Sequence, residues 1–313
     1  MTQPTLHHPA GTLVNDDLLV DLTPETAGWN ITGLQVVSLA PKVERSSNTG
    51  EFEAVVLPLS AEHLTVVCDG EEFALVGRSS VFARVTDFVY LPRQSEYSIV
   101  NEAGGLVAIA MARCDERLAA RYGASEAIPV ETRGAGPATR QVTNFMSPQT
   151  WPYASKLMCV ELLTPDGNWS SYPPHRHDDS PECPVNNEEI YYFSIGRAGT
   201  TDVDRDGFGL HRTYTPPASD GTVEIDQNVV VRDGDVFCVP RGYHGPCIAA
   251  PGYTMYYLNV LAGPGNERSM AFCDDPTHHW VRDTWADMTT DPRVPLTTAT
   301  GPTGVHTTQE QSP

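Results

Sequence analysis

Four residues in the second half of the sequence have side chains that bind divalent transition metals. They are His175, His177, Glu189 and His244, the last of which ends the segment PRGYH at 240–244. Imidazole nitrogens and a carboxylate oxygen form a ligand set that such metals prefer. Residues two apart in a β-strand point to the same face, so His175 and His177 can bind one ion together. The sequence therefore predicts a metal site.

A metal held by three imidazoles and one carboxylate keeps one or two coordination positions open. In those positions it can polarise a carbonyl oxygen and a neighbouring hydroxyl oxygen of a substrate. Such polarisation assists reactions that remove a proton from the carbon beside a carbonyl, because it stabilises the enediolate that results. We expect one divalent ion, zinc or manganese; iron, cobalt and nickel also suit these ligands.

Composition and charge restrict the class of protein. The 313 residues include 40 acidic and 20 basic side chains, which give a net charge of −20. Such a charge argues against nucleic acids and anionic membranes as partners. The seven cysteines are odd in number and contain no CxxC pair, which indicates free thiols in a reducing cytoplasm. No segment near the start has the pattern of a secretory signal, and the longest apolar stretch, near 105–112, is too short to span a bilayer.

Short runs of alternating or β-branched residues recur along the chain and are separated by Asp-Gly turns. This pattern indicates an all-β barrel or sandwich. Only Cys114–Tyr122 resembles a short helix, and the Gly- and Pro-rich stretch Thr132–Arg140 is the best candidate for a connection between two halves. The tail Leu296–Pro313 has little to bury, so we expect it to be disordered.

The two halves of the sequence resemble each other faintly. The segment VYLPR at 89–93 is similar to FCVPR at 237–241. When the prolines are superposed, Glu96 falls at the position of His244, and the first half has no HxH pair. The repeat therefore predicts two similar barrels, of which only the second holds metal.

The glycine and proline spacing around the ligands resembles the two conserved motifs of cupins, which are double-sheet jelly rolls. The matching segments run from Gly234 to His244 and from Glu189 to Gly196. The chain has one residue between Gly242 and His244 where cupins usually have two. It also has a long polar insertion between His177 and Glu189, which we expect to form a loop over the barrel mouth.

A more specific resemblance covers about residues 77–280. Its ordered segments are GNWSSYPPHRHD (167–178), EEIYYF (188–193), GFG (207–209), DGDV (233–236), VPRGYH (239–244) and YYLNVLAGP (256–264). Together they resemble the bicupin 5-deoxy-glucuronate isomerases of myo-inositol breakdown. The related 5-keto-4-deoxyuronate isomerases of the pectin pathway carry the same ligand types but fit the segment 169–178 less well.

The resemblance implies interconversion of 5-deoxy-D-glucuronate and 5-dehydro-2-deoxy-D-gluconate on two jelly-roll β-barrels in tandem. We expect an N-terminal barrel without metal ligands over 1–135, a metal-binding barrel over 136–295 and a disordered tail over 296–313. The partner is then a small anionic sugar acid, and we expect a cytoplasmic homo-oligomer.

Strand alternation allows only one of the neighbours Glu188 and Glu189 to join the histidines, and the spacing to Gly196 selects Glu189. The identity of the proton shuttle stays open at this point. The acids and bases near the motifs are Glu161, Asp178, Glu188, Tyr192 and Tyr257. Among these, we take Tyr257, together with Glu189, as the catalytic candidates.

The carboxylate of a sugar acid needs a positive partner, and the planar fork of an arginine suits it. The basic residues that flank the motifs are Lys156, Arg176, Arg212 and Arg241. Arg176 lies between two inward-facing ligands and should point away from them, so Arg212 is the preferred candidate.

Several alternatives accompany this interpretation. Three histidines and a glutamate can also hold iron for a cupin dioxygenase. A non-catalytic sugar-binding cupin is disfavoured, because the sequence shows no helix-turn-helix segment and its charge repels DNA. His278 and His279 could form a second site or a flap, but a structural contact is the expected role, and Cys247 is expected to be a buried, inert thiol.

Overall fold

The computed structural model describes residues 5–221, 223–265 and 267–303. In these residues the chain forms many short β-strands, as the all-β prediction requires. The helices are α1 (Pro24–Ala27) and α2 (Val281–Thr284), and single 3-10 turns lie at Ser125–Ala127, Gly136–Ala138 and Trp285–Asp287. None of the described helices has the length and apolar character needed to cross a membrane.

The strands described in the first part of the chain are β1 (His7–His8), β2 (Leu18–Leu22), β3 (Thr32–Leu39), β4 (Arg45–Asn48), β5 (Phe52–Cys68), β6 (Glu71–Arg78), β7 (Phe88–Leu91), β8 (Glu96–Asn101), β9 (Gly105–Arg113) and β10 (Arg121–Gly123). Those of the second part are β11 (Val130–Arg133), β12 (Arg140–Met146), β13 (Met158–Thr164), β14 (Trp169–Ser170), β15 (His175–Arg176), β16 (Asp178–Ser180), β17 (Cys183–Asn186), β18 (Glu188–Arg197), β19 (Gly209–Tyr214), β20 (Asp226–Val231), β21 (Val236–Val239), β22 (Tyr243–Ala249), β23 (Tyr253–Ala262), β24 (Cys273–Asp274), β25 (Thr297–Thr298) and β26 (Gly301–Pro302).

Two large antiparallel sheets repeat one strand order. The first half has the order β10-β7-β5-β9-β3-β2, and the second half has β1-β21-β18-β23-β13-β12-β11. A second layer faces each of them, made by β4, β6 and β8 with the end of β5 in one half, and by β20-β19-β22-β15-β24 with β14 in the other. This repetition supports the predicted tandem of two barrels.

Apolar side chains form three buried clusters. One lies inside the first half and includes Val66 and Ile99, and another lies inside the second half and includes Phe193 and Phe237. The third cluster contains residues of both halves, among them Val55 and Tyr256. The sheets of the two halves therefore pack face to face, and each also covers its own interior.

A buried carboxylate of the first half binds backbone of the second. Glu53 has no exposed surface and accepts hydrogen bonds from the Tyr90 hydroxyl at 2.7 Å and from the backbone N–H groups of residues 155–157 at 2.5–2.7 Å. Bonds to a charged acceptor are the stronger ones in proteins. Glu53 therefore connects β5 directly to the segment that leads into β13.

The second half makes the reciprocal contacts. Glu188 accepts hydrogen bonds from the backbone N–H groups of residues 30–32, each at 2.8 Å. Glu161 pairs with the buried Arg78 and accepts a hydrogen bond from the Tyr256 hydroxyl at 2.7 Å. These contacts fix the orientation of the two halves.

The structure corrects the predicted helix at Cys114–Tyr122. Its last two residues belong to β10, residues 121–123, which pairs with the edge of β7. An open strand edge offers backbone donors and acceptors, and this segment satisfies them in place of an isolated helical turn.

The predicted connection Thr132–Arg140 is also partly strand. β11 and β12 pair with each other, with Arg133 opposite Arg140, inside the second sheet. β1 crosses to this sheet and pairs with β21. The division of the chain at residue 135 stays a prediction, and these pairings show that chain segments cross the boundary between the halves.

Two further expectations were wrong. Cys183 and Cys273 form a disulfide, although they lie 90 residues apart, because β24 pairs with β15 and brings Cys273 beside the hairpin β16–β17. The part of the tail up to residue 303 is ordered, since the side-chain oxygen of Gln141 accepts hydrogen bonds from the backbone N–H groups of Leu296 and Thr297. Residues 304–313 lie outside the described residues.

Substitution of Glu53 by glutamine tests the contact between the halves. The change removes the charge and turns an amide NH₂ toward backbone donors, so the free energy of unfolding should fall by about 2–3 kcal/mol. Urea denaturation followed by circular dichroism measures it. Glu62→Gln, an exposed position on the same strand, is the matched control. Equal midpoints for the two variants would contradict the role of Glu53.

Candidate metal centre

The predicted ligands come from the two facing sheets of the second half. His175 lies on β15 opposite His244 on β22, and Glu189 begins the inward-facing series of β18. Next to His244 in β22, Gly245 has φ +97°, and a Cβ there would overlap the carbonyl oxygen of Ser171, so the strand can pass this close only with glycine at that position. The sheets therefore converge at one end of the barrel and bring the ligands together.

Three of the four residues form a compact buried group. His177, Glu189 and His244 offer ligand atoms within 4.8 Å of one another, and all three side chains are buried. The Nε2 atom of His177 lies 2.9 Å from Oε2 of Glu189, and Nε2 of His244 lies 3.0 Å from the same oxygen. A carboxylate with two imidazoles at this separation can hold a metal ion.

His175 lies beside this group and is not a member of it. Its ring centroid is 4.4 Å from that of His244 and 4.6 Å from that of Phe272. Its Nδ1 atom lies 3.2 Å from the carbonyl oxygen of Pro173. That contact leaves Nε2 as the nitrogen available to a ligand.

Neighbouring polar groups orient the ligands. Asn259 on β23 donates a hydrogen bond to Oε1 of Glu189 at 2.6 Å, and Nδ1 of His177 lies 3.1 Å from the carbonyl oxygen of Asn187. Such contacts fix the rotamer of the carboxylate and the tautomer of the imidazole.

The protonation states suit a metal. Burial would raise the pKa of Glu189, but His244 and His177 outweigh it and hold that pKa well below its usual range. Burial and then His244 hold the pKa of His175 well below its usual range. Burial would lower the pKa of His177, but Glu189 raises it. Glu189 is therefore ionised and His175 neutral at pH 7, the forms that bind metal.

One observation on this structure tests whether a metal fits. His244 has no exposed surface, and in the described residues its Nδ1 has no hydrogen-bond partner, while its Nε2 has only the Glu189 oxygen at 3.0 Å, without the alignment of a hydrogen bond. A buried polar atom without a partner costs about 1–3 kcal/mol. A metal ion would satisfy the Nε2 atom, which already faces Glu189, so the residues fit the predicted group.

His175, His177 and Glu189 line a cavity of about 560 Å³. Every second side chain along three neighbouring strands faces the cavity, as expected for β-strands. These side chains are Val142 and Asn144 of β12, Val160 and Leu162 of β13, and Asn259 and Leu261 of β23. This volume is within the range of small-molecule sites. Ser171, Thr150 and Gln149 add polar groups to the wall.

The structure places the predicted acids and bases outside this wall. Glu161 and Glu188 bind groups of the first half, and Tyr192 lies in the apolar cluster between the halves. Asp178 accepts a hydrogen bond from the Gly242 backbone N–H at 2.9 Å. Tyr257 does not line the cavity, but its hydroxyl contacts Ser170 at 3.0 Å and Ser171 at 3.1 Å, and Ser171 does line it.

The basic residues singled out from the sequence also lie elsewhere. Arg212 contacts Asp226 at 3.5 Å and lies over the ring of Tyr214, outside the cavity wall. Arg176 stacks on Tyr243 and pairs with Glu182 at 2.8 Å, Arg241 pairs with Glu224, and Lys156 donates to the carbonyl of Pro264. The arginines that line the cavity are instead Arg133, Arg140 and Arg282.

Sequence reasoning missed these three because two of them lie in the segment taken as a connection between halves. The only signal available was the spacing of Arg140, Val142 and Asn144, which place one face of a strand toward the cavity. The hairpin β16–β17 formed by the predicted mouth insertion carries Cys183, and the disulfide fastens it to β24, beside His175.

Other residues that the sequence analysis singled out have structural contacts. Nδ1 of His279 lies 2.8 Å from Asp274, and the Cys247 thiol is buried 3.1 Å from Nδ1 of His211. Burial raises the pKa of the Cys247 thiol well above its usual value, as expected for an inert thiol, and lowers the pKa of His211 to about 3.

Comparisons with known proteins add three findings. A sequence model of the KduI/IolB family matches residues 6–281. A 5-deoxy-glucuronate isomerase of Geobacillus kaustophilus is 38% identical over 269 residues, which cover 85% of this chain and 91% of that protein. One of Lacticaseibacillus casei is 33% identical over 270 residues, which cover 85% and 93%.

Two solved structures are also similar to this chain. The crystal structure of an IolB-like protein from Salmonella typhimurium LT2 superposes with a TM-score of 0.77 at 29% identity and covers 89% of this chain and 99% of that chain. An oxalate decarboxylase of Bacillus subtilis with Mn(II) centres has a TM-score of 0.58 at 11% identity, covering 88% and 80%. The second likeness shows the fold alone.

Substitution of His244 by alanine should weaken the binding of manganese at least about 100-fold, because it removes a ligand itself and not one of its hydrogen-bond partners. Titration calorimetry on metal-free protein measures the affinity, and circular dichroism checks that the fold is kept. His175→Ala should have the same effect if His175 completes the ligand set.

His279→Ala, an exposed histidine outside the buried group, is the control and should bind manganese like the wild type. Unchanged affinity in His244→Ala would refute the site. Unchanged affinity in His175→Ala alone would limit the ligands to three.

Proposed function

The chain belongs to the KduI/IolB family, and on that basis we propose that it is a metal-dependent aldose–ketose isomerase. It converts 5-deoxy-D-glucuronate to 5-dehydro-2-deoxy-D-gluconate in myo-inositol degradation. The observation that carries this proposal is the match, over most of both chains, to relatives that bear the name 5-deoxy-glucuronate isomerase. The matched range 6–281 contains the buried histidine–glutamate group and the cavity beside it.

We propose that one divalent transition metal ion is held by His175, His177, Glu189 and His244. Zinc and manganese are the first choices, and iron, cobalt and nickel suit the same ligands. When bound, the metal supplies a Lewis acid that polarises the carbonyl oxygen of the substrate. This assignment is supported by the Glu189 oxygen that lies within 3.0 Å of Nε2 of both His177 and His244, and by the absence of an aligned hydrogen bond at His244 Nε2.

The residues of the chain prepare the site for proton transfer. The cavity encloses a small sugar acid, and Asn259 holds Glu189 so that its second oxygen faces the two histidines. Ser171 presents a hydroxyl to the cavity, and Tyr257 and Tyr191 hold that hydroxyl at 3.1 and 3.3 Å. We therefore propose that Tyr257 acts through Ser171 and is a positioning residue.

The remaining properties stay predictions from the sequence. A net charge of −20 supports the absence of nucleic-acid and anionic-membrane partners. We propose a homo-oligomer in the cytoplasm, although the cysteines no longer support that location, because two of them form a disulfide.

Proton NMR with 5-deoxy-D-glucuronate in heavy water tests the reaction. We expect conversion to the keto acid 5-dehydro-2-deoxy-D-gluconate, loss of that conversion with a strong chelator and recovery with added manganese or zinc. Deuterium at the new methylene would show that the transferred proton exchanges with solvent.

Two parallel assays address the alternatives. Absence of conversion with every divalent metal, together with turnover of 5-keto-4-deoxyuronate, would assign the chain to the other reaction. Oxygen uptake with ferrous iron and no isomerisation would indicate a dioxygenase and would overturn the proposal.

Substitution of Tyr257 by phenylalanine separates positioning from direct proton transfer. We expect kcat to fall about tenfold with unchanged metal content, because the hydroxyl contacts Ser171 and not the cavity. A loss of about 100-fold or more would be typical of a general acid or base and would contradict the positioning role. Tyr192→Phe, on the opposite face of the same sheet, is the matched control, and steady-state kinetics measures both variants.

A further inference from the structure

One cation in the cavity wall has no counter-charge. Arg133 makes two contacts with Glu131, at 3.0 and 2.7 Å, and Arg282 makes two with Asp274, at 2.5 and 2.7 Å. Arg140 lines the same cavity, yet among the described residues no carboxylate oxygen lies within 4.0 Å of it. The wall therefore contains two arginines that are paired with carboxylates and one, Arg140, that is not, although Glu131 in the same wall acts on it from a greater distance.

The side chain of Arg140 is also poor in neutral partners. Its Nη1 donates a hydrogen bond to the carbonyl of Ala138 at 3.1 Å, and its Nε atom has no partner in the described part of the chain. The ring of Trp285 covers the guanidinium, with Cζ 5.9 Å from the ring centroid. Arg140 is only 5% exposed, so water replaces few of the missing bonds.

A buried cation without a partner costs free energy, and proteins usually pair it. Burial lowers the pKa of Arg140 to about 10, and the positive charges of Arg133 and Arg282 act in the same direction, whereas Tyr257 and Glu131 raise that pKa. The guanidinium is still charged at pH 7. The fold thus holds a cation at the cavity under unfavourable conditions, which is expected where a ligand supplies the missing anion.

We propose that Arg140 binds the carboxylate of the sugar-acid substrate, an inference that rests on the proposed function. A guanidinium presents its N–H groups in a planar fork that matches both oxygens of a carboxylate. The position of Arg140 in the cavity wall and the absence of a carboxylate within 4.0 Å of it support this contact. Arg140 is then a specificity residue that selects uronic acids over neutral sugars.

The strand order supports the orientation of the substrate. Arg140 begins β12 and Glu189 lies on β18, with β13 and β23 between them. Three strand spacings of about 4.8 Å separate the two strands. The register aligns Gln141 with Leu163, Tyr256 and Ser194, so Arg140 is also displaced about six residues along the strands from Glu189. The guanidinium and the histidines therefore lie toward opposite ends of one cavity wall, and the long side chain of Arg140 has to extend along that wall to meet the carboxylate of a substrate at the histidines.

Binding of molecules that cannot isomerise tests this inference separately from catalysis. The first probe is the acid obtained by reducing the aldehyde of 5-deoxy-D-glucuronate to an alcohol, and the second is the neutral polyol in which the carboxylate is also reduced. In the manganese-loaded protein, Arg140→Met should weaken binding of the acid at least about tenfold and leave the affinity for the polyol unchanged. Arg140→Lys keeps the charge but not the planar guanidinium, so its affinity for the acid should lie between those of the wild type and Arg140→Met. Titration calorimetry measures both probes.

Arg212→Met is the control, because Arg212 lies outside the cavity wall. The affinity of this variant for the acid should equal that of the wild type. Equal binding of the acid to wild type and Arg140→Met would overturn the inference, as would a loss seen only in Arg212→Met. If Arg140→Met does not fold, the same comparison is made with Arg140→Lys, for which unchanged affinity for the acid overturns the inference.

The two proposals can fail separately. If the wild type does not isomerise 5-deoxy-D-glucuronate but binds the acid through Arg140, the proposed reaction is wrong and the carboxylate site stands. If isomerisation occurs and the acid binds equally well without Arg140, the reaction stands and the carboxylate site is elsewhere. Steady-state kinetics adds a further readout, since a lost anchor should raise KM more than it lowers kcat.

Discussion

The alternation of side chains along β18 is the constraint on which the rest of the structure depends. Glu189 and Tyr191 face the interior of the second barrel, where the histidines converge. Ile190 and Tyr192 face the first half and belong to the cluster shared by both sheets. A shift of one residue in its register would move the carboxylate away from His177 and His244 and bury it between the halves. The position of the candidate ligand Glu189 and the packing of the two halves are therefore both set by β18.

Buried carboxylates fix the orientation of the two halves relative to each other. Glu53 reaches from the first half to the backbone of the second, and Glu188 reaches from the second half to the backbone of the first. Apolar packing alone is tolerant of small rotations, whereas hydrogen bonds to a buried charge require a defined geometry. The described part of the first half thus supports the sheet that carries Glu189, and its contribution to the site is indirect.

The cavity itself combines groups that the fold leaves without partners. The ring nitrogens of His244 lack hydrogen bonds at one place, and Nε of Arg140 lacks one at another. Each omission costs free energy in the folded chain, and each is offset when a ligand of the right charge binds. A cation at the histidines and a carboxylate at the arginine would satisfy both. The separation of these two unsatisfied places along one sheet is a physical basis for binding a sugar acid in one direction, although the protein as a whole is strongly acidic.

The sequence by itself determined the all-β class and the side of β18 to which Glu189 belongs, because a strand repeats every two residues and that period is local. It also brought together the residue types of a metal site, and the structure gathers three of the four. The tertiary structure alone decided the partners of buried charges: that Glu161 meets Arg78, that Arg212 lies outside the cavity and that Arg140 lines it without a counter-charge. It also decided the disulfide between Cys183 and Cys273 and the order of residues 296–303. These contacts join residues far apart in the chain, and they depend on strand order and register, which no local pattern contains.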